Sequence, residues 1–257
     1  MDLKLNGRTA VVTGASKGIG RAIAETLAAE GCHLHLSSRT EADLADLANA
    51  LRQRFNVRVE IHPLDLALPD AQKMLFEQSY EADILVNCAG NIPSGELDAL
   101  SDEEWRAGWE LKVFGFINLT RLFYKAMKSR NRGVIVNIIG AAGVRPDASY
   151  IAGSTGNAAL IAFTRALGAR SVDFGVRVVG INPSLTDTPR GERILRFKAD
   201  HNLDNPNFAK EFLAGLPLGR MCTSEEIASV AAFLASDQAG YMSGTVVDVD
   251  GGGSARP

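Results

Sequence analysis

Short apolar runs alternate along the chain with longer amphipathic ones. TAVVT, HLHLSS, VRVEIH, DILVN, VIVNII, VRVVGIN and TVVDV read as strands, because aliphatic and β-branched residues crowd into short stretches. Between them, RAIAETLAAE and EADLADLANALRQR repeat apolar residues every three or four positions, the period of a helix with one buried face. The strands are apolar almost throughout, where a sheet with one wet face would alternate. That pattern belongs to parallel strands covered by helices on both sides.

The predicted fold class is therefore α/β, a doubly wound Rossmann fold with a single parallel sheet of about seven strands and helices on both faces. No internal repeat, low-complexity tract or Pro/Gly/Ser-rich linker divides the chain, so residues 1–257 are expected to form one domain. One stretch breaks the rhythm. After NPSLTDTP, the segment 189–216 has helical composition but no strand follows until Thr245, and an insertion after a late strand lies where open α/β sheets bind ligands. It is expected to be a helical lid, with a simple packing helix as the alternative.

A chain of 257 residues that is 46% hydrophobic can bury a substantial core. The net charge of -3 is spread over both signs, which removes the electrostatic reason to expect nucleic acid or an anionic membrane as partner. The amino-terminal MDLKLNGRTAVVTG lacks the charged and apolar regions of a signal peptide, and no run approaches the roughly 20 apolar residues of a membrane helix. A cytoplasmic location follows as the expectation. Cys32, Cys88 and Cys222 are widely spaced and are expected to be reduced and mostly buried. No metal site is expected: His33 and His35 share a strand face without a cysteine or carboxylate nearby in sequence, and His62 and His201 are isolated.

The first strand runs into TGASKGIG, Thr13 to Gly20, and then into a helix. Gly14, Gly18 and Gly20 permit a tight turn and close approach of a pyrophosphate, so this turn, with Ser16, Lys17 and Ile19, is expected to hold a dinucleotide. At the end of the second strand, where a carboxylate would bind an adenosine ribose, the chain has LSSRT. Arg39 and Lys17 with no acid beside them suit a 2'-phosphate, so NADP(H) is expected in preference to NAD(H); Arg39 as a solvated residue is the alternative. Thr40 with Asp43 resembles a helix cap.

TGASKGIG, NCAG (Asn87 to Gly90), INPSLTDT, PLGRMCTSEEIASVAAFLAS and SGTVVDVDGGGS, in that order, resemble the motifs of the short-chain dehydrogenase/reductase family over nearly the whole chain. The resemblance implies that Asp65 and Leu66 flank the adenine, that Asn87, Ala89 and Gly90 line the cofactor, and that Pro183 and Thr188 lie near the nicotinamide. Asp65 reads equally as a turn residue and Asn87 as a sheet-stabilising hydrogen bond. The resemblance also implies self-association as a tetramer or dimer, and Trp105 and Trp109 read as a packing pair four residues apart.

The family's catalytic asparagine, serine, tyrosine and lysine are absent from the gap-free alignment, which puts Lys112, Gly140, Gly153 and Asn157 in their places. Tyr150 is the remaining phenol, three residues before Gly153. It is the preferred proton donor, with Lys112 and Asn157 as polar support, unless it packs against the lid instead. Lys112 is expected either to point into the active site or to salt-bridge Glu110 or Asp147. Arg190, Arg193, Arg196 and Lys198 are either a solvated face or recruiters of an anionic substrate. The first reading is an NADP(H)-dependent oxidoreductase acting on a small carbonyl/alcohol pair. A nucleotide-binding scaffold or sensor without hydride transfer, and a non-redox lyase or isomerase, are the competing readings.

Overall fold

The computed structural model describes residues 1–202 and 205–256. Leu203 and Asp204, within the expected lid, and Pro257, within the expected domain span, lie outside the described residues.

Among the described residues, seven strands form one sheet: β1 (Thr9–Thr13), β2 (His33–Ser38), β3 (Val59–Pro63), β4 (Ile84–Asn87), β5 (Gly133–Ile138), β6 (Val176–Pro183) and β7 (Val246–Val249). Their order is β3-β2-β1-β4-β5-β6-β7 and every pairing is parallel. The chain moves outward from β1 to β3, then returns to β4 on the other side of β1. Between β1 and β4 the connections therefore diverge, and a crevice opens beyond the carboxyl ends of these strands.

The helices are α1 (Gly18–Ala29), α2 (Glu41–Phe55), α3 (Pro69–Ser79), α4 (Asp102–Trp109), α5 (Gly115–Ser129), α6 (Ile151–Ser171), α7 (Pro189–Asp200), α8 (Phe208–Gly215) and α9 (Ser224–Ala235). Strand apolarity on both sides is explained by two cores. Ala10, Val12, Ile84, Val86, Val134 and Val136 pack with residues of α1, α2 and α9, whereas Val11, Leu85 and Ile135 pack with residues of α3 and α5. Val11 and Val12 are both fully buried, each burial worth about 1.5–3 kcal/mol.

A polar ladder crosses this apolar sheet. Asn87 Nδ2 donates to Asn137 Oδ1 at 2.9 Å and to Thr120 Oγ1 at 3.1 Å, and Asn137 Nδ2 donates to Thr164 Oγ1 at 3.0 Å. Thr13 Oγ1 accepts from the backbone N–H groups of Cys88 and Ala89 at 2.9 and 3.1 Å, which fixes the end of β4 beside the glycine turn.

Several local expectations are corrected. Thr40 is the cap position of α2 but its side chain makes no capping hydrogen bond, and Asp43 instead pairs with Lys17 at 3.0 Å across the turn. Of the cysteines only Cys32 is fully buried; Cys88 and Cys222 are half-buried. His62 is not isolated: its Nε2 lies 2.9 Å from His35 Nδ1, and Glu60 is near both. The tryptophan pair is as expected, with ring centroids 6.3 Å apart and Trp109 Nε1 donating to the Ala152 carbonyl. Among the described residues no helix is long and apolar enough to cross a membrane.

Candidate active site

The glycine turn is built for close approach. Gly14 and Gly18 take φ of 68° and 54°, and a Cβ at Gly20 would sit 2.3 Å from the Gly14 carbonyl oxygen. Lys17 occupies the cap position of α1 with no side-chain capping bond, so the protein leaves the first N–H groups of this helix without a side-chain acceptor. An anion fits that vacancy and the charge of the helix end. Ser16 is half-buried on the turn, and Ile19 reaches the cavity described below.

At the end of β2 the hydroxyls of Ser37 and Ser38 are buried without hydrogen-bond partners among the described residues. Arg39 is exposed beside them and forms no ion pair among the described residues. Asp65 is also exposed, its carboxylate accepting from the Ala67 N–H at 3.1 Å, while Leu66 is buried. The Asn87 side chain is fully buried; its Nδ2 belongs to the sheet ladder, while its Oδ1 has no hydrogen-bond partner among the described residues. Ala89 abuts the turn: a Cβ at Gly14 would lie 3.0 Å from its Cα.

A cavity of about 290 Å³ lies beyond β4, β5 and β6. Gly90, Pro183 and Thr188 border it together with Lys112, Tyr150 and Asn157, so all three residues expected to carry chemistry meet there. Ile194 and Lys198 of α7 and Phe212 of α8 close another side.

Tyr150 precedes α6 with φ of -139° and ψ of 41°, and its ring lies over the first turn of the helix. A Cβ at Gly153 would lie 1.9 Å from Tyr150 Cζ. The phenol thus fills the volume that a side chain at 153 would occupy, which the three-residue displacement in sequence conceals. Its oxygen accepts from Arg190 Nη2 at 3.0 Å, and the same guanidinium donates to the Ile92 carbonyl and to Asn91 Oδ1. Because Arg190 uses the oxygen as acceptor, the phenolic O–H remains available to donate elsewhere.

A similar exchange occurs at Gly140. A Cβ there would lie 2.7 Å from Asn157 Nδ2, so the Asn157 carboxamide occupies the space of a side chain at 140. Asn157 is 3% exposed, and its Oδ1 has no hydrogen-bond partner among the described residues. A buried, unpaired amide costs stability and invites a ligand.

Lys112 sits in a π-helical turn, Glu110–Phe114, between α4 and α5. Its stem crosses Gly90, where a Cβ would meet Lys112 Cδ at 2.5 Å. The ammonium donates to the carbonyls of Ile138 and Ile139 at 2.8 and 2.9 Å, at the end of β5, which leaves one of its three protons free. The expected salt bridge to Glu110 or Asp147 is therefore not the arrangement found. Asp147 pairs with Lys198 at 2.8 Å. Burial opposes the charge on Asp147, but hydrogen bonds from Lys198 and Ser149 prevail and hold its carboxyl below the usual range.

Burial pulls the Lys112 ammonium down from 10.5 to about 8, opposed by Cys88 and aided to a lesser degree by repulsion from Arg190. Between about 8 and 10.5 the unfolded chain binds the proton that the folded chain has released, so folding gains as pH rises through this window. The stability of the wild type relative to Lys112→Met is expected to increase between about pH 7.5 and about pH 9.5 in denaturant titrations. A constant difference would place the ammonium in bulk-like solvent.

The four cations flagged in sequence divide by direction. Arg190 and Lys198 turn into the cavity wall, whereas Arg193 and Arg196 are exposed. Sequence reasoning did not pair Arg190 with Tyr150; a glycine at 153 in place of a side chain was the signal that another group filled the space.

The family model described as enoyl-(acyl carrier protein) reductase matches residues 14–254. The 2,3-dihydro-2,3-dihydroxybenzoate dehydrogenase of Bacillus subtilis (strain 168) is 31% identical over 253 residues, 96% of each chain. Galactitol 2-dehydrogenase of Rhizobium johnstonii is 35% identical over 258 residues, 97% of this chain and 96% of its own. Among solved structures, L-sorbose reductase from Gluconobacter frateurii, complexed with NADPH and L-sorbose, superposes with a TM-score of 0.91 and 33% identity, covering 100% of both chains. With the sheet order, the glycine turn and the cavity beyond the strand ends, these likenesses make the chain an oxidoreductase that belongs to the short-chain dehydrogenase/reductase family.

Proposed function

We propose that this protein is an NADP(H)-dependent oxidoreductase that interconverts a small polar carbonyl compound and its alcohol, with Tyr150 as proton donor. The observation that carries the reading is the Tyr150 ring standing in the volume above Gly153, its oxygen held by Arg190 and its face in the cavity. The glycine turn and uncapped start of α1 fit a pyrophosphate, and the unpartnered Ser37 and Ser38 hydroxyls with the free Arg39 fit a ribose bearing a phosphate. When bound, NADPH supplies the hydride.

The chain's own residues do the rest. Tyr150 gives its proton to the carbonyl oxygen during reduction, and Arg190 supplies positive charge at the oxygen that loses it. Asn157 positions the substrate through its unpaired Oδ1, which accepts from a substrate hydroxyl. Lys112 contributes its free N–H and charge at the end of β5. Segment 189–216 acts as the lid, with Ile194, Lys198 and Phe212 excluding water. The polar wall of Asp147, Lys198 and Arg190 suits a polyhydroxylated or anionic substrate, and the relatives named for galactitol and L-sorbose support the first of these. A cytoplasmic homo-oligomer, as tetramer or dimer, completes the reading.

Calorimetric titration with NADPH and NADH, then a screen of keto sugars and keto acids for NADPH oxidation, tests it. Tighter NADPH binding and substrate-dependent oxidation are expected; saturable binding without turnover on any carbonyl would return the scaffold reading, and no binding would remove both. Arg39→Ala should weaken NADPH by about 10–100-fold and leave NADH nearly unchanged, the loss of one charged hydrogen-bonding group. Lys17→Ala should have a smaller effect, because Asp43 already engages that ammonium.

A further inference from the structure

Between β2 and β3, away from the cavity that holds Tyr150, a second cluster has no part in this chemistry. The β2–β3 register sets His35 beside Glu60, and His62 lies one pleat further along the same face. His35 Nδ1 is 2.9 Å from His62 Nε2 and 3.6 Å from Glu60 Oε2, and the three ligand atoms all lie within 4.8 Å of one another. Two nitrogen ligands on a tetrahedral zinc ion stand about 3.3 Å apart, so these side chains need to move only by tenths of an ångström.

The neighbouring groups prepare the imidazoles for an ion. His62 Nδ1 faces the Gln78 carboxamide oxygen at 2.8 Å, so this nitrogen carries the proton and Nε2 accepts from His35 Nδ1; an ion between the rings requires His35 to carry its proton on Nε2 instead. A carbonyl on the far nitrogen is the usual support of a metal-bound histidine. Glu60 is 65% exposed and supplies a charge that balances part of the ion's.

A cavity of about 260 Å³ reaches the cluster and is lined by His35, Glu60 and Gln78 with Thr9 and Arg58, at the amino-terminal ends of β1 to β3. It gives solvent access from the side of the sheet away from the glycine turn.

We propose that His35, His62 and Glu60 bind one divalent zinc-like cation, with solvent as the fourth ligand, joining the edge strand β3 to β2. The ion would be structural, raising the stability of this sheet edge without entering turnover.

Chelator-treated full-length protein, dialysed against Zn²⁺, is expected to take up one equivalent, with a rise in thermal midpoint. His35→Asn, His62→Gln and Glu60→Gln should each weaken binding at least about tenfold, and Gln78→Leu by roughly 10–100-fold, while NADPH binding is unchanged in His35→Asn and Glu60→Gln. His33→Asn and His201→Asn should keep the full equivalent. Crystals soaked in zinc chloride should show an anomalous difference peak between the two imidazoles. Absence of saturable binding, or one equivalent retained by folded His35→Asn/His62→Gln, would overturn the proposal. Should the buried His62 variant fail to fold, the exposed Glu60→Gln decides with the anomalous peak.

Discussion

Tyr150→Phe is expected to lower the rate of carbonyl reduction by about 10²–10⁴-fold while NADPH binds as before, because the substitution removes one proton donor and almost nothing else. The ring continues to fill the space over Gly153, so packing is retained. Arg190 loses one acceptor but keeps the Ile92 carbonyl and Asn91 Oδ1. Stopped-flow or steady-state NADPH oxidation beside a calorimetric titration separates the two effects. A variant that retains more than about a tenth of the rate would show that another group delivers the proton, with Lys112 the next candidate, since burial places it at about 8, close to the working range of a general acid.

Gly153→Ala is expected to cost a comparable part of the rate although it removes no polar atom. The new methyl group would coincide with the Tyr150 ring, 1.9 Å from Cζ, and the ring must leave. Overpacking costs about 1–3 kcal/mol, whereas alanine within a helix recovers about 1 kcal/mol over glycine, so net stability changes little. Displacement of the phenol also breaks its contact with Arg190, and a misplacement of about 1 Å can cost 10²-fold. The measurement is the double substitution Gly153→Ala with Tyr150→Phe: its rate should match that of Tyr150→Phe alone, because both changes remove the same group. Multiplying losses would separate the glycine from the tyrosine's role.

The scaffold was legible because it depends on periodicity. Ala10 to Val12 and Ile84 to Val86 are apolar at every position since both sheet faces are buried, and the glycine turn follows directly from β1. What periodicity does not register is which side chain occupies a neighbour's vacant volume. Tyr150 over Gly153 and Asn157 against Gly140 are such exchanges, and in a linear alignment each appears as a loss.

Ion pairs were less legible for the same reason. Asp147 looked like a partner for Lys112, but α7 delivers Lys198 to it from 51 residues away. Lys17 looked free, yet the start of α2 brings Asp43 to 3.0 Å. His62 looked isolated until the β2–β3 register set it against His35.

The sequence by itself determined the parallel sheet, the order of its elements and the glycine turn, because these arise from local patterns of burial and backbone freedom. Only the tertiary structure decided the constellation proposed here for catalysis. Tyr150, Arg190, Lys112 and Asn157 come from separate elements, and their meeting depends on a π-helical turn, a folded-back ring and two glycines without side chains, none of which a local pattern encodes.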